Sequence, residues 1–176
     1  RGSMGHAVIG DLAFFAGGGN ETGNCDQVDI YNFTTGSWNT ATLSQARSFI
    51  GATAAMNKVI FAGGSLSNGV ASNRVDIYDY STGTWSIDSI SVARGFYHQT
   101  ATVCGKAYFV GSGIFDGGWT YGTDTIDVYD PVSGTWSIMK LPTKATEQAV
   151  VAMDSTLLIS GGFYENNPPY GIALNT

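Results

Sequence analysis

The chain has 176 residues, 43% of them hydrophobic and only 12% charged, with 24 glycines and a formal charge of −6. That composition excludes a disordered polymer, which needs low hydrophobicity and high net charge, and eight Lys and Arg supply no basic face for nucleic acid. No apolar run reaches transmembrane length and no basic segment leads into an apolar one, so neither a membrane span nor a retained signal peptide is expected.

Taken in chain order, Arg1-Gly2-Ser3-Met4 reads as a cloning remnant, to be set apart from the fold. An apolar strand ending in small residues then recurs four times. It appears as Phe14-Phe15-Ala16-Gly17-Gly18, as Ile60-Phe61-Ala62-Gly63-Gly64, as Tyr108-Phe109-Val110-Gly111-Ser112 and as Leu158-Ile159-Ser160-Gly161-Gly162. The steps from Phe15 to Phe61, to Phe109 and to Ile159 are 46, 48 and 50 residues. A second strand follows the first three, as Val28-Asp29-Ile30-Tyr31, Val75-Asp76-Ile77-Tyr78 and Ile126-Asp127-Val128-Tyr129. Each of these leads through a turn to a tryptophan: Trp38, Trp85 and Trp136 each stand seven residues after the tyrosine. Length varies mainly between the double glycine and the second strand, where a loop tolerates insertion.

A double glycine, an aromatic and a tryptophan on a period near fifty residues resemble the kelch repeat, over essentially the whole chain from Gly5 onward. The resemblance implies an all-β fold of kelch-type β-propeller blades, each a four-stranded antiparallel sheet around a central channel. Within the second repeat, strand A is expected over Ile50 to Met56, strand B over Lys58 to Ala62, strand C over Val75 to Tyr78 and strand D from Trp85. Strand A of the third repeat is expected over Thr100 to Cys104, and Asn57 and Gly105 mark the A–B turns. The blades divide at about 5–43, 44–90 and 91–141, with a half blade over 142–176. In that half blade strands A and B are expected over Gln148 to Met153 and Leu157 to Ser160, with Ala173 to Thr176 on the approach to strand C. Three and a half blades are too few to close a ring, which takes about four. A partial propeller follows: a piece of a longer one, or a half-ring completed by a second copy.

Subtracting the repeat leaves the candidate sites. Arg47, Arg94 and Lys144 fall at steps of 47 and 50 residues, so they form either a basic rim for an acidic partner or a set of local braces. His98, with Tyr97 and Gln148, is placed near a channel mouth; one histidine makes no metal site, and His6 is a poor second ligand. The B–C loops over 19–27, 65–73, 113–124 and 163–171 are rich in Asn, Gly, Ser and aromatics. Phe115, Trp119 and Tyr121 stand out there as partner anchors, and Tyr164, Pro168, Pro169 and Tyr170 form a similar group. Packing of these loops on themselves is the competing reading.

Signs of catalysis are weak. The copper chemistry of galactose oxidase needs a cysteine–tyrosine pair with histidines, and this chain has two histidines. The sialidase Asp-box needs a glycine three residues before the tryptophan, whereas Gly36, Gly83 and Gly134 stand two before it. The Glu, Asp, His series of plant iron-binding kelch proteins fails at Glu21 and at Glu147. Asp29, Asp76 and Asp127 repeat with the scaffold and should lie apart. Cys25, in a loop, and Cys104, in an inner strand of the core, are expected as free thiols. Asn20-Glu21-Thr22 and Asn32-Phe33-Thr34 match the glycosylation sequon and are compatible with secretion. The expected function is a non-catalytic binding scaffold for a protein partner, with no cofactor. The alternatives are a carbohydrate-binding propeller and the scaffold part of a larger enzyme.

Overall fold

A computed structural model describes residues 1–96, 98–112, 114–116, 119–163 and 171–175. For 114–116, 119–121 and 171–175 the description is of backbone alone. Among them every regular element is a β-strand. Sheet one holds β1 (Gly5–Ile9), β2 (Leu12–Ala16), β5 (Gln27–Asn32) and β6 (Ser37–Thr42) in that spatial order, all antiparallel. Two short strands, β3 (Gly19–Asn20) and β4 (Gly23–Asn24), pair with each other in the loop before β5. Sheet two holds β7 (Gly51–Ala55), β8 (Lys58–Ala62), β9 (Ser72–Asp79) and β10 (Thr84–Arg94).

Sheet three repeats the plan with β11 (Gln99–Val103), β12 (Lys106–Val110), β15 (Thr123–Asp130) and β16 (Thr135–Ala145). Its loop carries a separate hairpin of β13 (Ile114–Asp116) and β14 (Trp119–Tyr121). Sheet four has three strands, β17 (Ala149–Met153), β18 (Thr156–Ser160) and β19 (Gly171–Asn175).

Each strand has a local reason to stop. Asn32, Asp79 and Asp130 close β5, β9 and β15, and their side-chain oxygens accept the N–H groups of Thr34, Ser81 and Val132 at 2.9 Å. Such Asx turns compete with the ladder and end it. The hairpin is completed by Gly36, Gly83 and Gly134 at φ of 69°, 71° and 69°, a region in which a side chain is strained. The fourth strands run further than the sequence suggests: β10 and β16 continue through a bulge to Arg94 and Ala145, past the expected divisions at 90 and 141.

The core lies between the sheets. Phe14, Val28 and Leu43 of sheet one meet Val59 and Phe61 of sheet two. Ile60, Val75 and Ile77 from the other side of sheet two meet Phe109 and Tyr129 of sheet three, and Tyr108, Ile126 and Val128 meet Leu157 and Ile159 of sheet four. Period-two alternation supplies this arrangement, because neighbouring residues of a strand face opposite sheets. At the inner edges β1 adjoins β7, β7 adjoins β11, and β11 adjoins β17.

Two expectations are corrected here. Cys104 forms no disulfide, nor does Cys25, but it is exposed in the turn after β11 and not in the core. Residues 171–175 do not merely approach the third strand of sheet four; they form it, pairing Ser160 with Gly171 through Thr156 with Asn175.

Candidate functional site

The recurring arginines turn inward. Arg47 is wholly buried; its Nη1 donates to the carbonyls of Gly63 (2.5 Å) and Arg74 (2.6 Å), and its Nη2 pairs with Asp76. The other oxygen of Asp76 accepts the Ser44 N–H at 2.7 Å. Arg94 repeats the plan on Gly111, Thr125 (2.9 Å) and Asp127 (2.5 Å), with Asp127 accepting the Ser91 N–H at 2.8 Å. Burial pulls the Arg47 guanidinium down to about 10, with the Asp76 charge opposing, and lowers Arg94 as well. Both remain cations at neutral pH. Neither reaches the surface, so of the two alternatives the local brace fits Arg47 and Arg94 and the basic rim does not: these groups brace the connector that enters each sheet.

Arg1 completes the series. Its Nη1 donates to the carbonyls of Gly17 (3.0 Å) and Gln27 (2.6 Å), and its Nη2 pairs with Asp29. Gly2 bridges Gly19 as Ser48 bridges Ser65. The first four residues therefore do not stand apart from the fold: Arg1 is tied to Gly17, Gln27 and Asp29, and Gly2 to Gly19. Lys144 is exposed and is not the fourth member; strand register gives that place to Ala145, which pairs with Thr123 as Arg94 pairs with Ser72.

One position further along each connector presses on the preceding sheet. Ile50 lies against Gly17, His98 against Gly63 and Gln148 against Gly111. A Cβ at Gly17 would stand 2.5 Å from both the Arg47 carbonyl and the Ile50 side chain, which requires glycine there. His98 is buried with Nε2 3.2 Å from the Ala62 carbonyl, to which its N–H donates. Burial pulls its pKa down to about 4, reinforced by Arg94, so the ring is neutral near pH 7. Beside it lies a cavity of about 200 Å³, formed where β1, β7 and β11 converge and lined by His6, Gly51, Ala52, His98, Gln99 and Thr100 among others.

The loop candidates are placed less fully. Phe115, Trp119 and Tyr121 stand on the hairpin of β13 and β14, where Phe115 pairs with Thr120, Trp119 with Asp116 and Tyr121 with Ile114. Tyr97, Tyr164, Pro168, Pro169 and Tyr170 lie outside the described residues. Of the sequons, Asn32 is committed to Asp11 (2.9 Å) and to its own turn, while Asn20 is exposed. Among the described residues no cluster of three His, Cys, Asp or Glu could hold a metal ion.

Sequence reasoning missed one surface. Phe15, Tyr31, Phe33 and Trp38 form a chain of ring contacts on sheet one, with centroids 5.0–6.1 Å apart, and Trp38 is 60% exposed. Their counterparts Phe61, Tyr78 and Trp85 lie between sheets one and two. Scaffold residues become surface wherever no sheet covers them, and the repeat itself marks which they are. Compared with known proteins, the chain matches no family model and no curated protein.

Proposed function

We propose that the chain is a kelch-type β-propeller segment of about three and a half blades, acting as a non-catalytic scaffold for protein–protein interaction. The observation that carries the interaction reading is the hairpin of β13 and β14. It bears Phe115, Trp119 and Tyr121 on a ribbon separate from the four larger sheets. Aromatic side chains on a ribbon supply contact area at low entropic cost and commonly anchor interfaces. The propeller reading draws on the inner edges, where the first strands of successive sheets adjoin, and on an inter-sheet core repeated three times. Charge recognition has little part in it, because Arg47 and Arg94 are consumed by the scaffold.

The test compares partner capture by the parent chain and by a Phe115→Ser, Trp119→Ser, Tyr121→Ser variant whose melting temperature is unchanged. Bands captured by the parent and lost by the variant support the reading. Equal capture by both counts against the hairpin.

A further inference from the structure

Two asparagines stand first in an Asn-X-Thr triplet, the acceptor sequence for N-linked glycans: Asn20-Glu21-Thr22 and Asn32-Phe33-Thr34. The fold treats their carboxamides in opposite ways. At Asn32 both ends are committed. Its Oδ1 accepts the N–H groups of Thr34 (2.9 Å) and Thr35 (2.8 Å), which closes the turn between β5 and β6. Its Nδ2 donates to Asp11 Oδ2 at 2.9 Å, which ties that turn to the one between β1 and β2. The other oxygen of Asp11 accepts the Tyr80 hydroxyl of sheet two at 2.9 Å. Asn32 is half-buried, and a sugar on its nitrogen would have to share this place with Asp11.

At Asn20 the nitrogen is available. Its Oδ1 accepts both the N–H (2.9 Å) and the hydroxyl (2.7 Å) of Thr22. Its Nδ2 faces Cys25 Sγ at 3.8 Å, a weak acceptor. Asn20, Glu21 and Thr22 are all exposed at the tip of the ribbon of β3 and β4. Among the described residues, this ribbon contributes no side chain to the three inter-sheet clusters. A bulky, solvated group at its tip therefore displaces nothing from the core.

We propose that Asn20 is an acceptor for an N-linked glycan and that Asn32 is not. The co-reactant is a lipid-linked oligosaccharyl diphosphate. Asn20 Nδ2 forms a bond to the anomeric carbon, and the bond from that carbon to the phosphate oxygen breaks. The lipid diphosphate leaves with the electron pair, and the proton lost from Nδ2 passes to a base of the transferase. One N–H stays on the amide. The Thr22 hydroxyl, which the triplet requires, lies beside the same carboxamide, so the transferase meets both groups at one exposed tip. The assignment is independent of whether the hairpin of β13 and β14 captures a partner.

The 176-residue chain would be secreted from a eukaryotic cell line behind a cleavable leader, and its folded fraction treated with a peptide N-glycosidase, which leaves aspartate where a glycan stood. Peptide mass spectrometry should find that conversion at position 20 and not at position 32. Asn20→Gln and Thr22→Ala should each abolish the glycan, whereas Thr22→Ser and Asn32→Gln should keep it. Translation into microsomes reads the same acceptor for any variant that is not secreted. A chain without a glycan, a glycan on Asn32, or a glycan that survives Thr22→Ala would each overturn the assignment.

Discussion

At position 98 the connector carries a histidine where the equivalent places hold Met4, Ile50 and Gln148, so the site asks for bulk against a glycine and no charge. His98 meets that demand only as the neutral ring. Its pKa falls from 6.5 to about 4, burial being the larger cause and the cations Arg94 and Arg47 adding to it. A folded-state pKa below the unfolded value means that the unfolded chain binds more protons between those limits. The associated stability is therefore fully present above about pH 6.5 and lost as pH falls through 4, on the order of 3 kcal/mol in all. His98→Gln, which copies Gln148, should remove that slope. Chemical denaturation at pH 7, 5.5 and 4 would show it as a parent that loses more stability than the variant as pH falls through the window, with the gap between them constant above it. Parallel losses in both would mean that His98 is solvated. The one-residue-longer connector of the third repeat hid this equivalence: His98 aligns with Gly51 by counting from the arginines, but with Ile50 by strand register.

Between residues and sheets, the arginine–aspartate pair ties a connector to the strand it must pass. Breaking a buried pair from one side leaves a naked charge, at a cost of about 3–5 kcal/mol, whereas replacing both partners by apolar groups is often neutral. Sheet four already does without the pair, with Ala145 at the arginine place and Ile172 at the register position of Asp76. Asp76→Asn should accordingly destabilise by about 3–5 kcal/mol, and adding Arg47→Met to Asp76→Ile should cost less than that single change. Urea unfolding of the two variants decides the point; a double variant worse than Asp76→Asn would mean that the pair contributes net stability. The strands and their turns were legible from period-two patterning and from the Asx–Gly hairpins, so β8 falls where expected over Lys58 to Ala62. The pairing was not, because Arg47 and Asp76 are 29 residues apart and only the folded ladder brings them together. A signal was nonetheless present: Arg1 precedes Arg47 by the same 46 residues that separate Phe15 from Phe61.

Across the whole molecule, sheet one and sheet four each carry exposed apolar side chains. Sheet one exposes Phe33 and Trp38 beside Phe15 and Tyr31, the aromatic side of an inter-sheet contact. Sheet four exposes Val151, Met153 and Leu158, on the side that in sheets one to three receives the next sheet. Exposed apolar area favours self-association, and two copies related by a two-fold axis would cover both faces at once. Light scattering across a concentration series should show the 18.5 kDa chain rising to about twice that mass and no further. Trp38→Ser should raise the dissociation constant at least tenfold, in line with the loss of a tryptophan anchor. Its melting temperature as a monomer should hardly change, because Trp38 is already 60% exposed. Growth beyond the dimer would mean that the faces mate in an open series. A constant mass of one chain would leave both faces wet and remove the paired half-ring.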